Sequence, residues 1–317
     1  MAGAAADGAP ALVEAMIGGR ISTPPEFAEY FSEGLVLLPL GYMPPCPTSP
    51  VPGSSPLQYT SLPGVPTPEE DAALRKAARA VWNASDTQVV MGVFGATEAI
   101  GREALTAWGS AVSRAIPGGG AKVSLPAVAP RGVALVRAEI ATYGSGGAGG
   151  GAKAADGASA EELEAAAAWH VDVVGKDALN TSMRLHGSDV LLDTWRISAG
   201  PLIGKAVALG RAVLTLPHGS MASRTGAEHA VALNCRGCGI ARSQHDAALY
   251  AAALARPSTA RARGGARKDR PDFGHLTPLW CAQFVKGLRL LLEAHMAAET
   301  DPEQAAWMEV HMQVAVA

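Results

Sequence analysis

Cys235-Arg-Gly-Cys238 has the spacing of a metal hook or a redox pair. Zinc wants four ligands, however, and no second such pair follows. Cys46 and Cys281 stand alone, and His229 and His245 fall into no ligand pattern. No metal site is expected. His218 follows the apolar run 212–216, where a strand's carboxyl end would place it as a general base. A base needs a positioned partner, and none can be read from the spacing, so a loop histidine is the plainer reading. The segment 256–270 carries five Arg and one Lys against one Asp. It reads as a solvated connector between helices, with a phosphate or acidic-partner patch as the sharper alternative. The Gly/Ala stretch 144–157 reads as a surface loop rather than a phosphate cradle, because no strand leads directly into it.

These groups need a frame. Apolar, β-branched runs at 88–94, 122–125, 170–174, 189–193 and 212–216 predict strands. Helical spacing marks 103–116, 131–142, 177–186, 201–209, 223–233, 244–254 and 278–296. Pro201 suits a first helical turn. Strands alternating with helices predict an α/β fold, a Rossmann-like doubly wound parallel sheet covered on both faces. Its ligands sit at the carboxyl ends of the strands, so the loops after Phe94, Val174, Asp193 and Leu216 are the ones that matter. The apolar stripe of 278–296 is most simply packed on this lobe.

Composition bounds the rest. The chain has 317 residues, 26 Lys+Arg against 29 Asp+Glu, and a net charge of −3. That excludes a nucleic-acid binder driven by net charge. No uncharged apolar run reaches the roughly 20 residues of a membrane span, so no membrane partner is expected. Four cysteines form no disulfide scaffold and suit a reducing compartment. Residues 1–10 lack the basic start of a secretory signal, leaving a cytoplasmic or nuclear protein as the default and a short transit peptide as the alternative. Nine prolines in the 25 residues 44–68 predict an extended linker, or a ligand for a proline-recognition domain.

One ordered set of segments is recognisable. Asp189-Val-Leu-Leu-Asp-Thr194 is followed by Ser198-Ala-Gly200 and a helix ending Ala208-Leu-Gly210. Then come Ala212-Val-Leu-Thr-Leu-Pro217 and Met221-Ala-Ser-Arg224. This string resembles the O-GlcNAc transferase and SPINDLY-type protein glycosyltransferases, in their C-terminal catalytic region. Segments 24–39 and 94–117 resemble flanking family segments, the latter through Phe94, Trp108 and Pro117. The resemblance covers residues 11–43 and 86–296 and rests on order and spacing rather than on one motif.

It implies the second lobe of a GT-B glycosyltransferase preceded by a fragment of the first. Residues 1–43 would end the first lobe, 44–68 link, 69–296 form the nucleotide-sugar lobe with its C-terminal helix, and 297–317 form a tail. The donor would be a nucleotide sugar, usually UDP-GlcNAc, with no separate cofactor. The acceptors would be Ser or Thr of proteins. By the same resemblance, Ala99 stands where the family holds a Lys that meets the diphosphate. Ala178, Thr181 and Met183 stand where it holds a Lys, a His and an Arg, with Lys176 and Arg184 close enough to substitute after a register slip. Ala199-Gly200-Pro201-Leu202 replaces the family's Gly-x-Thr-Thr helix start, and Lys205 replaces an Asp that binds ribose. A Lys cannot accept those hydrogen bonds, though it could meet a phosphate. The nucleotide-sugar site is therefore expected at Lys176, Thr181, Arg184, Ala199, Gly200 and Lys205, with impaired catalysis. The alternative is a non-catalytic binding relative whose nucleotide site has decayed.

Overall fold

A computed structural model describes residues 15–31, 33–44, 66–95, 99–115, 121–128, 169–173, 181–235, 237–254 and 273–300. Two parallel sheets form within them. The small one pairs β1 (Ala15–Gly19) with β2 (Gly34–Leu38) around a 3-10 turn at Pro25–Tyr30. The large one holds β3 (Val89–Val93), β4 (Ala121–Val128), β5 (Trp169–Val173), β6 (Val190–Leu192), β7 (Ala212–Thr215) and β8 (Gly239–Ile240). Its spatial order is β5-β4-β3-β6-β7-β8, every pair parallel. Counted from β3, this is the Rossmann order 3-2-1-4-5-6, with the reversal between β3 and β6. The α/β doubly wound expectation holds.

The helices are α1 (Pro68–Val81), α2 (Arg102–Ala115), α3 (Thr181–Gly187), α4 (Pro201–Ala208), α5 (Met221–Ala232), α6 (Gln244–Leu254) and α7 (Phe273–Thr300). Alternation in the strands divides the core. Val89, Met91, Val93, Val190, Leu192, Ala212 and Leu214 face α2 and α6 on one side. Leu191 and Val213 face Leu185, Ile203, Val207 and Leu233 on the other. Helix ends are made where local chemistry permits a left-handed residue: Asn83 after α1, Gly210 after α4, Asn234 after α5.

Several expectations change. The proline-rich segment stops being a linker at Thr67, whose side chain caps α1 in a capping box with Glu70, with Pro68 at the first position. Helix α7 begins five residues before Pro278, which sits inside it. Nor does α7 lie only on the large sheet. Its Trp280, Phe284, Leu291 and Ala294 pack with Val36, Leu38 and Ile17 of the small one. Its Val285, Leu288, Leu292 and Met296 stay exposed. Cys235 and Cys238 form a disulfide, in a chain whose four cysteines read as no disulfide scaffold. A three-residue separation just past the end of α5 brings their Cα atoms to 5.4 Å, within reach of a bridge. The expected helix at 131–142 and the loop at 144–157 lie outside the described residues, as does most of 44–68.

Candidate functional site at the carboxyl ends of β3, β6 and β7

Asp193 follows β6 directly at the reversal point and is almost fully buried. Its Oδ1 accepts from the N–H of Thr194 at 3.0 Å and of Ala199 at 2.8 Å. Its Oδ2 accepts from Ser198 Oγ and Thr215 Oγ1, both at 2.8 Å. One carboxylate thus binds the loop 194–200 to β6 and β7 and aims the start of α4. Burial pushes its pKa up to about 6, although all four donors favour the charged form.

The start of α4 is closed upon itself. Gly200 caps it with φ 34 and offers no side chain. Its N–H donates to Ser198 Oγ at 3.3 Å, Leu202 N–H to Ala199 O at 3.0 Å, and Ile203 N–H to Gly200 O at 2.9 Å. Pro201 has no N–H to give. The orphan donors that make a helix start attractive to phosphate are largely used internally here.

Arg184 is buried in α3. Its Nη2 donates to Val93 O at 3.0 Å and to Ser124 O and Oγ at 3.2 Å, and its guanidinium lies 4.9 Å from the centre of the Phe94 ring. It fastens the carboxyl end of β3 to the middle of β4. Ala199 is half-buried, and Lys205 is exposed in the last turn of α4. Ala99 is buried at 2% exposure, so no cation stands there. Thr181 opens α3. Lys176 and Ala178 lie outside the described residues. The structure therefore gathers Ala199 and Gly200 at the loop held by Asp193, and leaves Arg184 under the strand ends and Lys205 on the surface.

A cavity of about 430 Å³ opens beside this loop. Trp195, Arg196, His218, Ser220, Gly101 and Glu103 line it, from the loops after β6, β7 and β3. Arg224 holds the β7 loop in place, its Nη1 donating to His218 O at 3.2 Å and its Nε to Ile21 O at 2.6 Å. Trp195 and Arg196 were missed in the sequence. The signal was there: two long side chains follow the acidic residue that closes an apolar strand.

This fold has a known counterpart. The chain superposes on a Lys-to-Met mutant of the O-GlcNAc transferase from Thermobaculum terrenum with a TM-score of 0.52 at 18% identity. The match covers 95% of this chain and 46% of that one, so the chain spans less than half of the transferase's length. No family model and no curated protein matches the chain. At this identity the likeness is one of fold: the chain shares the Rossmann-like α/β architecture of that GT-B-type structure. Among the described residues, no three metal-ligating side chains gather, and no helix is long and apolar enough to cross a membrane.

Proposed function

We propose that the chain is a nucleotide-sugar-binding lobe of a GT-B glycosyltransferase of the O-GlcNAc transferase kind. Its donor is a uridine diphosphate sugar, its acceptors are Ser or Thr of cytoplasmic or nuclear proteins, and it transfers poorly by itself. The observation that carries this reading is the parallel 3-2-1-4-5-6 order, with a cavity at the carboxyl ends beside the reversal. Ligands of such sheets bind at that place. Poor transfer follows from the groups that would meet the diphosphate. Ala99 is a buried methyl, and the α4 start has its donors engaged. Losing one preorganised charge-stabilising group costs about 3–4 kcal/mol of transition-state stabilisation, or about 10²–10³ in rate.

The closed start of α4 also favours a second reading, a non-catalytic relative that uses the lobe for binding alone. Calorimetry with UDP and UDP-GlcNAc, followed by radiolabel transfer to a mixed protein extract, separates them. Donor binding with weak transfer is the expected result. Donor binding with no transfer at all keeps the donor lobe and contradicts transfer by this chain. Failure to bind either nucleotide sinks the donor-lobe reading and supports the non-catalytic relative, whose nucleotide site has decayed.

A further inference from the structure

The connection between α5 and β8 carries a motif that the donor-lobe reading leaves unused, Cys235-Arg-Gly-Cys238. Its backbone is fixed twice. Asn234 takes a left-handed conformation, φ 47, just past α5. Asn234 N–H donates to Val231 O and Cys235 N–H to Ala230 O, both at 2.9 Å. These are the paired bonds of a Schellman helix end, with Cys235 as its outermost residue. Three residues on, Cys238 N–H donates to Cys235 O at 3.1 Å and closes a turn. Main-chain bonds therefore set both cysteines on one turn, with their Cα atoms 5.4 Å apart.

Three uses compete for such a pair. A metal needs further ligands, and no three metal-ligating side chains gather among the described residues. A structural staple gains most when it closes a long loop, whereas this bridge spans a separation of three on a turn that hydrogen bonds already hold. A redox pair needs thiols that stay in reach when reduced and that a second thiol can approach. The turn meets the first condition, since its hydrogen bonds involve no sulfur. Position meets the second: both residues are half-buried at the margin of the core around Leu209 and Leu233, and neither is enclosed in it.

We propose that Cys235 and Cys238 form a reversible dithiol–disulfide pair that exchanges with small monothiols of the glutathione class. In the reducing direction, the thiolate of the small thiol attacks one Sγ and forms a mixed disulfide. The other Sγ leaves as a thiolate and takes up a proton. A second small thiolate attacks the mixed disulfide at the small thiol's sulfur, releasing the remaining Sγ, which is protonated in turn. The two small thiols depart as their disulfide, having supplied two electrons and two protons to the pair. Oxidation by the small disulfide runs the same steps backwards. No nucleotide or sugar enters the exchange, so it stands or falls apart from the donor-lobe reading.

The test uses the full chain carrying Cys46→Ser and Cys281→Ser, which removes the two other thiols. The folded protein is equilibrated in graded ratios of reduced glutathione to glutathione disulfide, quenched with acid and labelled with a maleimide. The expected result is two labelled thiols in excess reduced glutathione and none in excess glutathione disulfide. The same curve should be reached from either direction, with unchanged far-ultraviolet circular dichroism. Cys235→Ser and Cys238→Ser, each alone in this background, should take up one glutathione from glutathione disulfide, read by mass. Labelling only after denaturation, or loss of circular dichroism on reduction, makes the bridge a structural staple and overturns the proposal. Thiols that stay labelled in excess glutathione disulfide, or single variants that take up no glutathione, overturn it as well. Protection that a chelator removes and a reductant does not would assign the pair to a metal and also overturn it.

Discussion

Asp193 concentrates the chemistry of single residues. Its folded pKa of about 6 lies above its ordinary value of 3.8. A carboxyl raised in this way contributes stability that is fully present below about pH 4 and is lost as pH rises through about 6. The rise is worth about 3 kcal/mol. We expect the stability of wild type relative to Asp193→Asn to fall by about that amount between pH 4 and 7, read from urea midpoints. A constant difference across that range would contradict the buried, strained charge. Asp193→Ala should cost more than the Asn change, because four donors would lose their acceptor. In the sequence, Asp193 was legible as the end of a strand but not as a hub, since its partners Ser198, Ala199 and Thr215 meet it only through the folded loop. The same limit explains Arg184. A basic residue near a nucleotide loop reads as a ligand group, yet its side chain turns inward to the carbonyls of Val93 and Ser124.

At the scale of elements, periodicity carried most of the large sheet. Strands at 88–94, 122–125, 170–174, 189–193 and 212–216 were legible because buried parallel strands are short, β-branched runs bounded by turns. Helix α1 and strands β1, β2 and β8 were not. Helix α1 hid behind prolines, and its mean hydropathy is low because it exposes most of its surface. Ion pairs help to hold it: Arg75 and Arg79 pair with Asp189, and Asp71 with Arg211, while His186 Nδ1 lies 2.8 Å from Asp71 Oδ1 and Ala78 and Trp82 are buried. Strand β1, a five-residue Ala-Met-Ile-Gly-Gly run, is too short and Gly-rich to register as a strand.

Helix α5 shows what joins the two sheets. Its Glu228 is buried at 3% exposure and accepts from Ser22 N–H at 3.0 Å, Ser22 Oγ at 2.7 Å and Tyr42 N–H at 3.2 Å. Gly19 and Gly41 lie against it, and a Cβ at either would overlap the carboxylate. Glu228→Ala would orphan three donors and should cost about 2–4 kcal/mol in thermal or urea unfolding. Glu228→Gln keeps an acceptor and should cost less. Equal stability of the Ala variant and wild type would show that water replaces the carboxylate at no expense.

The molecule as a whole is a large sheet with a small parallel pair fastened to it. Two strands are marginal by themselves, and parallel strands need both faces covered. Here β2 is buried from Leu35 to Leu38, and part of that cover comes from α7. Trp280 Nε1 donates to Gly41 O at 2.8 Å, and its ring stacks on Phe284 at 5.0 Å. Leu276 of the same helix packs into the core of the large sheet, so α7 touches both units. The order of chain segments hid this arrangement, because residues 15–42 and 273–300 meet only in the folded state. The small pair should therefore have little stability apart from its fastenings, of which Glu228 and α7 are the largest and Arg224, donating to Ile21 O, a third. We expect wild type to unfold in one transition, with far-ultraviolet circular dichroism and tryptophan fluorescence coinciding. Removing the two largest fastenings in Glu228→Ala/Trp280→Ala should split it, the small pair and α7 releasing at lower denaturant while the large sheet persists. Hydrogen exchange would then show early loss of protection at 34–38 and 280–294, with 89–93 and 212–215 still protected. A double variant that unfolds in a single coincident transition, merely shifted, would mean that the two sheets share more of their core than these two contacts.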